Sequence, residues 1–101
     1  MPILHTVNKS PFERPAVESC TRYALPGSAI LLIEDGVYAA RAGTRVQAAL
    51  EALTDVRIFA LGPDLQARGI QTGDLFEAVT VVDYDGFVNL AVEHDKIQSW
   101  L

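Results

Sequence analysis

One cysteine, two histidines and a short acidic turn are the residues of this chain whose types could do chemistry. Cys20 is the one soft nucleophile. A thiol accepts or passes on sulfur as the thiolate, and a free thiol with a pKa near ~8.5 is mostly protonated at neutral pH. A helix N-terminus, a cation or a metal must lower that value. The spacing predicts Cys20 about five residues into a helix, past the first turn, where the helix dipole has faded. Arg22, two residues on, points to another side of the same helix. The competing reading is a small buried hydrophobe on a stripe with Val17 and Ala24. His5 falls in a predicted strand, opposite in phase to Leu4; it reads either as a base or as an ordinary residue of that strand. His94 is expected at the end of the last helix, where a cation suits the dipole. Glu34, Asp35 and Gly36 follow a predicted strand at its carboxyl end, the rim where open α/β sheets bind ligands. The turn is acidic and so a poor cradle for phosphate, and an ordinary turn between a strand and a helix is the plainer reading.

Other chemistries find no support. Gly27, Gly36 and Gly43 match neither common phosphate-loop spacing. One cysteine and two histidines at these distances make no metal motif. There is no Gly-x-Ser-x-Gly elbow and no paired acid and base. Neither a cofactor nor a metal is expected.

The elements that must position these residues alternate between β-branched runs and helical periodicity. Ile3, Leu4, Thr6 and Val7 read as a first strand. Pro15 suits the first turn of a helix that runs to about Tyr23, and Pro26 with Gly27 ends it. Ala29 to Ile33 is a continuous apolar run, as expected of a central strand covered on both faces. Ala39 to Leu53 is predicted helical, with Val46, Leu50 and Leu53 as its buried stripe. Val56 to Leu61 is a third strand. Asp64 is placed to cap a short helix reaching Arg68, and Gly69 to end it. Val79 to Val82 is a fourth strand, Asp83 to His94 a helix with Phe87, Leu90 and Ala91 inward, and Ile97 to Leu101 a last strand. This rhythm predicts an α/β fold: a flavodoxin-like or Rossmann-like three-layer sandwich with a parallel sheet of four or five strands.

The chain has 101 residues, half of them hydrophobic, with a net charge of −5. Residues 1–101 are expected to form one domain. The eight basic residues are scattered, which argues against a nucleic-acid surface. The longest apolar run is far short of the ~20 residues of a membrane span. No basic region precedes an apolar stretch at the N-terminus, and a single cysteine forms no internal disulfide. Together these favour the cytoplasm. So apolar a composition in so short a chain implies a full core or an apolar partner interface. Tyr38, Phe76, Phe87 and Trp100 are the aromatic candidates for interface anchors.

Five segments carry a resemblance: LHTVNKSPF (Leu4 to Phe12), LLIEDGVYAA (Leu31 to Ala40), ALGPDLQARG (Ala60 to Gly69), VDYDGFVNL (Val82 to Leu90) and the terminal QSWL. In this order, over a chain of this length, they resemble the DsrH/TusB family. None is a catalytic signature. The resemblance implies a subunit of a three-component sulfur-relay complex, DsrEFH or TusBCD, built as a dimer of heterotrimers with DsrE/TusD-like and DsrF/TusC-like partners. Such a complex passes persulfide sulfur to a small DsrC/TusE-like carrier. The principal transfer cysteine is implied to belong to the DsrE/TusD partner. In the DsrH branch this subunit has a cysteine in its first helix, and Cys20 matches that position. The resemblance thus favours intracellular sulfur oxidation, with Cys20 as an auxiliary sulfur acceptor in a non-catalytic or auxiliary subunit. Two alternatives stay open: a TusB-like part in 2-thiolation of the tRNA wobble uridine, and a purely structural assembly subunit without chemistry at Cys20. His5, Glu34, Asp35, Gly36, Tyr38 and Trp100 are the expected site-rim or interface residues.

Overall fold

The structure, a computed structural model, describes residues 2–100. Leu101, expected to end the last strand, lies outside the described residues. Five strands form one parallel sheet: β1 (Ile3–Val7), β2 (Ala29–Leu32), β3 (Arg57–Leu61), β4 (Val79–Val82) and β5 (Lys96–Trp100). Their spatial order is β4-β3-β2-β1-β5. The chain therefore steps one strand at a time towards one edge, then returns across the whole sheet to pair β5 with β1. Every residue of β2 is buried. Parallel strands covered on both faces must be apolar throughout, and burying each of Leu31 and Leu32 contributes roughly 1.5–3 kcal/mol.

Right-handed crossovers put the helices on the two faces. On one face lie α1 (Ala16–Tyr23), a 3-10 segment (Glu34–Ala40), α2 (Gln47–Glu51) and α3 (Gly62–Ala67). Val7, Val17, Cys20, Ile30, Leu32, Val46, Leu50, Ala60, Leu65 and Phe76 form the core beneath them. The long return carries α4 (Tyr84–Glu93) alone onto the other face, over Leu4, Ala29, Leu31 and Phe59. The expected layered α/β sandwich is what forms.

Two local expectations are corrected. The continuous helix from Ala39 to Leu53 does not exist. The chain instead leaves β2 in the 3-10 segment, Arg41 bridges to Leu75, and only Gln47–Glu51 is α-helical. Gly43 at φ +89 breaks the helical pattern, and the left-handed region is open to glycine at little cost. The stripe survives the break: Val46 and Leu50 are buried and Leu53 packs against them. Asp64 does not cap α3. It lies inside that helix, and its carboxylate accepts from the Glu34 amide at 2.7 Å. At the start of α4, by contrast, Asp83 is a true cap, accepting from Gly86 N–H at 2.8 Å.

Candidate functional site

Cys20 faces the sheet from the middle of α1 and is fully buried. Removal from water penalises the thiolate, which pushes the thiol up to about 12 from an ordinary 9.0. Its helix is fastened over the core from outside. Glu18, on the exposed side of α1, pairs with Arg45, and the same guanidinium reaches the Pro11 carbonyl. In this arrangement Cys20 is neutral and beyond the reach of a protein-bound persulfide.

His5 and Trp100, far apart in sequence, meet on adjacent strands. The Trp100 indole N–H donates to His5 Nδ1 at 3.0 Å. The neutral ring must therefore carry its proton on Nε2, a buried atom with no hydrogen-bond partner among the described residues. Burial holds the His5 pKa below its ordinary value of 6.5. Tyr23, from the end of α1, stacks on Trp100 with centroids 5.7 Å apart. These rings, with Ile3 and Gln98, line a shallow cavity of about 290 Å³.

The acidic turn after β2 is a structural knot. Gly36 packs so closely on β1 that a Cβ there would fall 2.0 Å from the Val7 carbonyl oxygen. Glu34 adopts a φ of +49, held by the bond to Asp64. Asp35 pairs with Arg68 at 2.9 Å. The Glu34 amide and the Asp35 carboxylate are thus tied to α3 and to Arg68 at its C-terminal end. Open sheets bind ligands where neighbouring strands send their chains to opposite faces. β3 leads into α3 and β4 into α4, so that point lies between β3 and β4. A crevice of about 580 Å³ opens there, lined by Gly62, Pro63, Gln66, Val82, Asp83 and Gly86.

Tyr38 lies half-buried under Arg41, whose guanidinium carbon is 5.4 Å from its ring centroid; Phe12 approaches the same guanidinium at 6.0 Å. Beside them Arg45, Arg68 and the backbone at Gly43 and Gly73 line a concavity of about 700 Å³. Sequence reasoning missed this convergence. Arg41, Arg45 and Arg68 read as part of a scattered basic set because the turn over residues 41–46, which carries Arg41 and Arg45, lies inside the stretch expected to be helical. Of the four aromatic anchors, Phe76 is buried in the chain's own core and is closed to a partner, whereas Phe87 packs on the α4 face of the sheet and stays partly exposed. No cluster of metal-binding side chains occurs among the described residues. No described helix is long and apolar enough to cross a membrane.

The profile of the family described as "DsrH like protein" matches residues 9–97. The chain is 37% identical over 98 residues to Protein TusB of Pectobacterium parmentieri, covering 97% of this chain and 100% of that one. It is 36% identical over 100 residues to Protein TusB of Escherichia coli K12, with the same coverage. Among solved structures, the ychN protein from E. coli superposes with a TM-score of 0.80 at 20% identity, covering 98% of each chain. A protein of unknown function from Methanobacterium thermoautotrophicum superposes with a TM-score of 0.76 at 19% identity, covering 96% of this chain and 97% of that one. These two share the fold. The profile and the full-length identity establish the lineage: this chain belongs to the DsrH/TusB family.

Proposed function

We propose that this chain is a TusB-like subunit of a cytoplasmic sulfur relay that supplies 2-thiolation of the tRNA wobble uridine. The observation that carries this reading is identity of 36–37% with proteins named TusB over 97% of the chain. Its partners are DsrE/TusD-like and DsrF/TusC-like subunits in a dimer of heterotrimers, and a DsrC/TusE-like carrier receives the sulfur.

In each relay step an acceptor thiolate attacks the outer sulfur of a donor persulfide. A new S–S bond forms, the old one breaks, and the donor leaves as a thiolate, with no net oxidation. The nucleophile must be ionised and exposed. Cys20, neutral and buried, meets neither need. The contribution of this chain is therefore surface: it holds and shapes the assembly around a partner's cysteine. Cys20 acts as packing under α1.

Sulfur oxidation remains the second reading, favoured by one observation, a cysteine at the first-helix position expected of the DsrH branch. The burial of that thiol weakens it. Deleting the gene, complementing with the wild-type chain and quantifying 2-thiouridine in tRNA separates the two. Lost and restored thiolation supports the TusB reading. Unchanged thiolation overturns it.

A further inference from the structure

Three of the chain's eight basic residues, Arg41, Arg45 and Arg68, line one concavity of about 700 Å³. Asp74 is the one carboxylate in that lining. It belongs to its own 3-10 turn (Thr72–Asp74), where it accepts from the Gln71 N–H at 2.9 Å. Three guanidinium groups against one carboxylate leave the wall positive, on a chain whose net charge is −5. Arg45 is held by Glu18 and the Pro11 carbonyl, and Arg68 by Asp35 and the Asp64 carbonyl. These bonds fix both groups and use two of the five N–H donors that each carries.

Arg41 is held differently. The rings of Phe12 and Tyr38 lie 6.0 and 5.4 Å from its guanidinium carbon, and it forms no ion pair among the described residues. Aromatic faces hold a guanidinium through the ring quadrupole without neutralising it, so its full charge is left for a ligand. Two further features of the wall have no other use in the fold. The Thr44 hydroxyl oxygen is buried without a hydrogen-bond partner, and such a group costs stability until something pairs with it. Gly73 has neither a positive φ nor any atom within 4 Å of where its Cβ would stand. Nothing in the backbone requires glycine there, and the missing side chain keeps the concavity open.

One bidentate arginine satisfies a carboxylate. A tetrahedral phosphate takes donors from several directions, as three guanidinium groups and a hydroxyl around one space supply them. The volume is that of a site for a small organic molecule, and the exposed ring of Phe12 stands in its wall. We propose that this concavity is a phosphate site, taking free phosphate or a phosphate monoester of mononucleotide size. Arg41 supplies the unpaired charge, Arg45 and Arg68 the flanking donors and Thr44 a hydroxyl bond. The site shares no residue with the His5–Trp100 cavity and requires no sulfur chemistry, so it stands or falls apart from the relay reading.

The test titrates the full chain with inorganic phosphate, adenosine 5′-monophosphate and adenosine, following arginine Nε–H and glycine amide resonances by NMR. The two phosphates are expected to shift the Arg41 and Gly73 signals saturably, less strongly in high salt, and adenosine to shift neither. Arg41→Gln is expected to bind at least tenfold more weakly, with circular dichroism showing that it folds. Arg57→Gln, outside the concavity, should bind like wild type. Thr44→Val should bind roughly fivefold more weakly with an equal or higher Tm, because valine removes an unpaired hydroxyl at nearly the same shape. A hydroxyl that served only the fold would lower Tm and leave binding unchanged. Tighter binding of the nucleotide identifies an ester as the ligand, and equal affinity identifies free phosphate; either supports the site. No saturable shift at millimolar concentrations overturns it. So does adenosine that matches its monophosphate, or folded Arg41→Gln and Thr44→Val chains that bind like wild type.

Discussion

Burial of Cys20 makes a quantitative prediction about its reactivity. The perturbation is alkylation of the isolated, folded chain by iodoacetamide, with the urea-unfolded chain as reference. In the folded chain the thiol stands near 12 against an ordinary 9.0. A gap of three units leaves about a thousandfold less thiolate at pH 8, equivalent to roughly 4 kcal/mol against the charged form. The alternative route is local opening of α1, in which the thiol regains its ordinary acidity and the rarity of opening sets the rate, because Cys20 has no exposed surface in the folded chain. Native labelling at pH 8 is therefore expected to be at least a thousandfold slower than in urea, read as mass-shifted protein against time. The pH profile separates the two routes. Reaction through opened molecules turns over at pH 9.0, where an exposed thiol is half ionised, and levels off about one pH unit above it; reaction through the folded thiolate keeps climbing towards pH 12. We expect the first shape. The raised pKa also has a consequence for stability: its contribution is complete below about 9 and is lost as pH rises towards 12, because the unfolded chain releases the proton first. Native labelling within tenfold of the unfolded rate would refute the burial argument and return Cys20 to the list of sulfur acceptors.

Three further outcomes follow from the geometry. Cys20→Ala in the assembled complex should load the carrier at no less than half the wild-type rate by mass spectrometry; complete loss with assembly intact would make Cys20 an obligate carrier. Gly36→Ala places a methyl 2.0 Å from the Val7 carbonyl and should cost about 3–5 kcal/mol from overpacking and a disturbed hydrogen bond, a fall in Tm of tens of degrees, whereas Gly73→Ala, with nothing within 4 Å, should stay within about 0.5 kcal/mol; equal Tm values for the two would contradict the close approach. His5, held below its ordinary 6.5 by burial, stabilises the fold above that value, and the contribution is lost as pH falls through the lower folded pKa. The urea midpoint should thus drop more between pH 7 and pH 5 in wild type than in His5→Asn, with a change in Trp100 fluorescence as Nδ1 gains a proton and loses the indole bond; parallel midpoints would remove His5 from the account.

Much of the architecture was legible in the sequence because it is local. Ala29–Leu32 is apolar at every position, which only a strand covered on both faces tolerates. Phe87, Leu90 and Ala91 carry the helical period that seats α4, and Asp83 sits where a cap must. The lineage was legible too, in five segments spread along the chain. The environment of each candidate site residue was not, because it depends on partners distant in sequence. Asp35 looked like a rim carboxylate until Arg68 arrived from α3. His5 and Trp100 became a pair only when β5 returned to β1. The arginines at 41, 45 and 68 gathered only because Gly43 broke the expected helix. Sequence determined which stretches must be buried and what period each follows, since backbone hydrogen bonding and side-chain alternation act over a few residues. Tertiary structure alone decided which way the spare faces look: Cys20 inward, where loss of water disarms it, and Val88 and Val92 outward, where an apolar stripe has no cover within its own chain.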